Sequence, residues 1–556
     1  MRINRLQFSL LCFFCLCFSL SAHAQFYKKE KVFSRADSLR GSLTSLRSVY
    51  DITYYHLNVK VDPEKKFIQG SNLFKFKATG DLDKLQFDLF ANLKVDSIVF
   101  NGKAVPFSRE HNAVFINFPY LIREGSNQSF IVYYSGFPTV AIRAPWDGGF
   151  VFSKDAKGKP WIATACQGIG ASVWFPNKDH QSDEVDSMLL SVSVPAGLKD
   201  ISNGTLRKVT KRKDGYTQFD WFIANPINNY SVVLNIGDFV HFSDSFVGEA
   251  GKLRLDYWVL PENLNKAKVH FGANVKKMLK AFEHWFGPYP FYKDGYKLIE
   301  APHLGMEHQS AVAYGNKFQN GYKNTDLSGT GWGMKWDFII VHESGHEWFG
   351  NNITAKDQAD MWIHESFTNY SESLFLDFHY GKKAGTEYVN GTRNKILNDV
   401  PIIPAYHVNA TGSGDMYYKG GNLLNMIRTI LNDDEKWRRI LRGLNEQFFH
   451  QTVTSADVIG YINKEAKRDF SRIFDQYLNY TSIPVLEIRR KEGKLMGRWI
   501  ANTPGFDMPV RLRVKGSEYS IVELTSDHFS EIKLPGATAE NIEADTFNFY
   551  IGLLKV

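Results

Sequence analysis

Cysteine is nearly absent from the body of this sequence. Of four cysteines, Cys12, Cys15 and Cys17 fall within the first 24 residues, and only Cys166 lies beyond them. Once that leading segment is removed no internal disulfide can form, so the chain must be stabilised by its hydrophobic cores. None of the three early cysteines has the small-residue lead-in of a lipidation site. Long apolar runs are also missing: after residue 24 no stretch reaches the ~20 apolar residues of a membrane-spanning helix. The excess of one charge over the other is small as well. The net charge is +7, with no long basic run, which argues against nucleic acid as a partner. No fixed repeat period is evident.

At 556 residues the chain is too long for one core. The N-terminus reads as a targeting segment. Arg2 and Arg5 precede an apolar run from Leu6 to Leu20, and Ala22-His23-Ala24 forms a small-x-small cleavage pattern before Gln25. The expectation is a signal peptide over 1–24 and an exported protein, periplasmic or extracellular, of bacterial type. Its removal takes Arg2 and Arg5 and lowers the net charge from +7 to +5.

From about Tyr50 to Val247 the texture is β. Tyr55, Leu57, Val59 and Val61 alternate with polar residues, as do Leu85, Phe87 and Leu89, and turn signals such as Asn101-Gly102 punctuate the runs. After Pro261 the period changes: Phe271, Val275, Met278, Leu279 and Phe282 follow helical spacing up to Gly287-Pro288. Helical patterns are predicted over 337–350, 364–380, 420–448 and 454–479. Beyond Pro484 short β runs return, including Val485-Leu486-Glu487-Ile488 and Val510 to Val514. The expected architecture is multidomain α+β: an N-terminal antiparallel β domain over 25–250, an α-rich domain over 251–483, and a small β-sandwich-like module over 484–556.

The chemistry concentrates in Val341-His342-Glu343-Ser344-Gly345-His346-Glu347-Trp348-Phe349-Gly350. Positions i and i+4 of a helix share a face, so His342 and His346 can direct imidazole nitrogens at one point. Glu343 can reach a water there without ligating the metal. This is the H-E-x-x-H arrangement of zinc peptidases. Zinc takes a third protein ligand and leaves its fourth position to water. A third histidine six residues beyond His346 is ruled out, because that position is Asn352. Trp362-Ile363-His364-Glu365-Ser366-Phe367 supplies an acid instead, and a bend around Gly350 to Lys356 would carry Glu365 to the metal. Glu372, seven residues further on the same face, could orient His342 or His346 by a hydrogen bond.

These two stretches together resemble the M1 (gluzincin) family of zinc aminopeptidases, of the leukotriene-hydrolase and aminopeptidase N type. The resemblance covers nearly all of the chain after residue 24. Leu304-Gly305-Met306-Glu307-His308 stands at the Gly-x-Met-Glu-Asn motif, and Tyr417-Tyr418-Lys419-Gly420 matches Tyr-x-Lys-Gly. Phe286-Gly287-Pro288-Tyr289-Pro290-Phe291 is another shared phrase, and Ala165-Cys166-Gln167 resembles the loop that lends a glutamine to the substrate amine. Leu304, His308, His364 and Ser366 depart from the family pattern, and the long helical C-terminal domain of many members is missing.

The resemblance implies a thermolysin-like catalytic domain with one Zn2+ per chain, held by His342, His346 and Glu365. The metal lowers the pKa of its water toward ~7 and polarises the scissile carbonyl, with Glu343 as general base and Tyr417 as oxyanion donor. Gly305 and Met306 lie along the substrate, while Glu307 and Gln167 hold its cationic α-amine. Peptides with a free N-terminus are therefore the expected partners. A thermolysin-like endopeptidase and a catalytically inactive peptide-binding homologue are the competing readings. Cys166 reads as a small packed thiol, since no base stands beside it.

Overall fold

The computed structural model describes residues 32–556. The expected signal peptide lies outside them, and among the described residues no helix is long and apolar enough to cross a membrane.

Residues 50–239 build the first core. Tyr50–Asp62 turns Tyr55, Leu57, Val59 and Val61 inward and leaves the intervening side chains partly exposed, as period-two alternation requires. It pairs antiparallel with Phe67–Ala78 inside an eight-stranded sheet. Its other edge pairs parallel with Ser187–Pro195, from Tyr54 opposite Ser187 to Lys60 opposite Ser193. The sheet is thus antiparallel with one parallel seam, which follows from the long excursion of chain between those strands. A three-stranded and a four-stranded sheet add to this half, the latter carrying Pro160–Ala165 up to Cys166 and Gln167.

A five-stranded sheet opens the second half. Val240–Gly248 pairs with Gly251–Val259, which runs parallel to Tyr296–Glu300; Val312–Tyr314 follows, and Gly305–Met306 forms the edge. The helix Leu264–Phe286 packs Phe271, Val275, Met278, Leu279 and Phe282 into the core and stops at Gly287, whose φ of 94° suits glycine.

Several helices are shorter than periodicity predicts, each for a local reason. The 337–350 pattern is a helix only over Phe338–Gly345. Beyond it Glu347 N–H donates to Ser344 and Trp348 N–H to Gly345, a tightening to i→i+3 bonds, and Gly350 turns away at φ 135°. The 420–448 pattern divides into Asp415–Leu431 and Asp434–Gln447, because Asn432 takes a left-handed conformation and Asp433 caps the next helix. The 454–479 pattern divides likewise at Lys467, into Ser455–Ala466 and Ser471–Asn479. Trp362–Tyr380 remains one helix, with every side chain from Trp362 to Leu376 buried.

The C-terminal residues form a four-stranded and a three-stranded sheet. Their inward side chains, among them Leu486, Ile488, Trp499, Met508 and Leu512, join the hydrophobic cluster of the helices.

The Phe338–Gly345 helix is apolar and buried all round, so its first turn must find acceptors inside the protein. Asp337 provides them. One carboxylate oxygen accepts from Ile339 and Ile340 N–H at 2.9 and 3.2 Å, and the other from His270 Nε2 and Tyr314 Oη, each at 2.7 Å. Asp337→Ala should cost about 2–3 kcal/mol, through the lost cap and the donors left unpaired. A lowered denaturant midpoint would show this, and an unchanged midpoint would remove Asp337 from the supports of the helix.

Candidate active site

The helices around the site are placed by glycine. A Cβ on Gly345 would stand 2.6 Å from Ser371 Oγ, one on Gly420 would stand 1.9 Å from Ser366 Oγ, and one on Gly421 would stand 2.3 Å from Asn369 Oδ1. Phe338–Gly345 and Asp415–Leu431 therefore both lie close against Trp362–Tyr380. Ser366, a departure from the family pattern, donates its hydroxyl to the Met416 carbonyl at 2.7 Å. Lys419 reaches the Tyr480 carbonyl at 2.9 Å, so the Lys-Gly pair of Tyr417-Tyr418-Lys419-Gly420 holds structure rather than chemistry.

The bend that Glu365 needs is present. Residues Ile353–Ala355 form a short strand parallel to Gln451–Val453, and the chain then turns into the Trp362 helix. Nε2 of His346 lies 3.5 Å and Nε2 of His342 lies 4.0 Å from the same Glu365 carboxylate oxygen. A set of donor atoms, one from each of these three buried residues, lies within 4.8 Å of one another.

The remaining ring nitrogens are occupied. His342 Nδ1 lies 2.7 Å from Glu372 Oε1, and Glu372 is itself held by Asn369 Nδ2 at 3.2 Å and Tyr388 Oη at 2.7 Å. His346 Nδ1 faces the Phe349 carbonyl at 3.1 Å and Thr368 Oγ1 at 3.2 Å. With both Nδ1 atoms so engaged, both Nε2 atoms are left to face Glu365. Glu365 Oε2 is buried without a hydrogen-bond partner, while its Oε1 accepts from Gln167 Nε2 at 2.9 Å.

Two imidazoles and a carboxylate with one orphaned oxygen fit a zinc ion in donor type and number. The electrostatics point the same way. Burial opposes charge on His346, yet Glu365 and Glu307 outweigh it and push the imidazole up to about 10. Burial likewise opposes ionising Glu365, but His346 and His342 hold it down at about 2. Carboxylates packed this tightly away from water demand a cation among them.

The other sequence candidates gather around this point. Glu343, Glu307 and His346 form a second set whose donor atoms lie within 4.8 Å of one another. Burial pushes Glu343 up to about 7 and raises Glu307, whose Oε1 has no partner. The edge strand Gly305–Met306 passes directly over Glu343: a Cβ on Gly305 would meet Glu343 Oε1 at 2.7 Å and Ile339 Cγ2 at 2.8 Å. Tyr417 is half-buried with its ring 6.0 Å from that of His342, and desolvation first, then Glu365 and Glu307, raise its hydroxyl well above 10. Every one of these groups lines a single cavity of about 600 Å³ between the two halves of the chain.

Some supports have no sequence signal. Tyr230 enters from the β half, on a short turn, and places its hydroxyl beside Glu307 and 3.3 Å from His364 Nδ1. His364, the other departure next to Glu365, accepts from Ala355 N–H at 2.7 Å and is held near 3 by burial, a neutral ring tying the bend to the helix. Cys166 is buried, and burial raises its thiol far from ionisation, in keeping with a packed residue.

Parts of the chain are similar to known proteins. Residues 272–477 match the peptidase family M1 domain. Probable aminopeptidase 1 of Sulfurisphaera tokodaii is 24% identical over 436 residues, 74% of this chain and 51% of its own length. Human aminopeptidase B is 24% identical over 424 residues, 72% of this chain and 58% of its own length. The chain therefore spans about half the length of these relatives. The solved M1 zinc metallopeptidase of Deinococcus radiodurans superposes with a TM-score of 0.65 at 19% identity, covering 81% of this chain and 98% of that one. The three-part β, helical, β architecture is that of the M1 aminopeptidases, and its helical part, residues 272–477, carries the match to the peptidase family M1 domain.

Proposed function

We propose that this protein is a zinc-dependent aminopeptidase that removes N-terminal residues from peptides, with one zinc per chain held by His342, His346 and Glu365. When bound there, zinc lowers the pKa of its water and polarises the scissile carbonyl. Glu343 accepts a proton from the attacking water and returns it to the leaving nitrogen. Tyr417 donates its hydroxyl to the oxyanion, and Glu372 fixes the ring of His342. We propose further that the protein is exported, on the strength of the Arg2, Arg5, Leu6–Leu20 and Ala22-His23-Ala24 pattern.

The observation that carries the exopeptidase reading is Glu307. It is buried with one unpartnered oxygen, and its carboxylate lies in one donor set with Glu343 and His346, so a cation bound to it sits about one residue's length from the base. An α-amine of a free N-terminus is such a cation, and an internal peptide bond offers none. The Gly305–Met306 edge leaves backbone groups free for an extended substrate to pair with. Gln167, bridged to Glu365, closes the amine side.

Glu343→Gln should keep zinc near one per chain and lower turnover at least ~10²-fold, the size of a general-base contribution. Metal loss in that variant would mean that Glu343 is a ligand.

Glu307→Gln should lower kcat/KM on free-N-terminus peptides about 10- to 150-fold, the effect of one or two lost charge-assisted hydrogen bonds. On N-acetylated versions of the same peptides wild type should be poor and the deficit of the variant should shrink. Efficient cleavage of acetylated or internal bonds by wild type would replace the aminopeptidase reading with an endopeptidase one.

A further inference from the structure

Glu347 follows His346 directly, yet its carboxylate belongs to neither of the two donor sets at the metal. The side chain is fully buried. A carboxylate taken out of water needs hydrogen-bond donors, and this one finds its donor outside the helix that precedes it. Its Oε1 accepts from the backbone N–H of Ser310 at 2.8 Å, and Ser310 is fully buried too.

Ser310 belongs to the loop that carries Glu307. The edge strand Gly305–Met306 pairs antiparallel with Val312–Tyr314, and residues 307–311 connect the two. Ala311 N–H donates to the His308 carbonyl at 2.9 Å, closing a tight turn in which Ser310 holds a φ of 54°. That left-handed conformation is uncommon for a serine and persists where surrounding contacts over-determine it. In a hairpin the loop conformation sets how the strands end, so the direction in which Glu307 leaves the edge strand depends on Ser310.

The constraining contacts come from two sides. From the β half, Gly204 N–H donates to Ser310 Oγ at 3.0 Å and Asn203 Nδ2 to the Gln309 carbonyl at 2.7 Å, while Gln309 Nε2 donates to the Pro226 carbonyl at 2.8 Å. From the turn that carries His346 come Glu347 and Asn351, whose Nδ2 donates to the Glu307 carbonyl at 2.8 Å. Asn351 N–H in turn donates to the His346 carbonyl at 2.9 Å. The loop is therefore tied to the His346 turn twice, at Glu307 through Asn351 and at Ser310 through Glu347. Of the two ties, Glu347 is the one on the residue with the left-handed backbone.

We propose that Glu347 is a positioning residue for recognition of the substrate amine: by accepting from Ser310 it keeps Glu307 at a fixed spacing from the metal-binding turn. The proposal rests on the aminopeptidase reading above, in which Glu307 holds the α-amine. What Glu347 supplies is an acceptor at a given reach rather than a charge. Glutamine can therefore replace it, and aspartate, one methylene shorter, cannot. The spacing matters because a misplacement of about 1 Å in a bound group can cost up to ~10²-fold.

The test measures dissociation constants by calorimetry, on the zinc-loaded enzyme, for leucine hydroxamate and its deamino analogue, which differ only in the α-amine. Wild type should bind the amine-bearing compound at least about tenfold more tightly, the size of one charge-assisted hydrogen bond. Glu347→Ala and Glu347→Asp should bring that ratio to about three or below, through weaker binding of the amine-bearing compound alone. Glu347→Gln should keep the wild-type ratio, and zinc should stay near one per chain in all three variants. A merely structural defect would weaken both compounds together, so a parallel loss would overturn the proposal. A ratio that survives in Glu347→Ala, or is lost in Glu347→Gln, would overturn it equally. Loss of zinc would move the role of Glu347 to His346 and reject the tie to Glu307. Where Glu347→Ala does not fold, Glu347→Asp carries the same comparison. A wild-type ratio near one would instead remove Glu307 from amine recognition, and the aminopeptidase reading with it.

Discussion

Bringing two imidazole nitrogens and a carboxylate oxygen within 4.8 Å of one another, out of contact with water, costs desolvation that only a shared cation offsets. The rest of the helical region is arranged around that convergence. His342 and His346 come from one short helix and its C-cap, Glu365 from the first turn of the next, and the strand Ile353–Ala355 turns the chain between them. The rings are then aimed from behind, one by Glu372 and the other by the Phe349 carbonyl and Thr368. Each of those partners is buried too, so the ligand set cannot relax by turning a ring outward.

In the proposed reading, selectivity is layered on the same point by different parts of the chain. The edge strand Gly305–Met306 crosses above Glu343 at a distance that only glycine permits, and it delivers Glu307 in the next residue. The β half contributes Gln167 and Tyr230 across the cavity. In that reading, chemistry is supplied by one region, while recognition of the substrate amine draws on residues as far apart in sequence as Gln167 and Glu307. A rigid junction between the halves is a condition of the proposed substrate preference.

What the sequence makes legible follows from how local each signal is. The histidine pair is an i, i+4 relation, and Glu365 and Glu372 are spaced on one helix face, so all four can be named before any fold is known. Alternation in Tyr55, Leu57, Val59 and Val61 marks a strand but carries no record of which neighbour it pairs with, and the parallel seam with Ser187–Pro195 stays hidden. Helix ends at Asn432 and Lys467 are missed because non-glycine residues take the left-handed conformation there. Tyr230 carries no pattern at all. Its place beside Glu307 and His364 arises from long-range packing.

The central claim is that His342, His346 and Glu365 hold one catalytic metal between them. Zinc content after exhaustive dialysis tests it most directly, measured on wild type and on His346→Ala, which deletes one ligand and keeps the rest of the site. The account predicts close to one zinc per wild-type chain and almost none in the variant, because two remaining ligands cannot close a tetrahedral site. Full zinc retention by His346→Ala would contradict it.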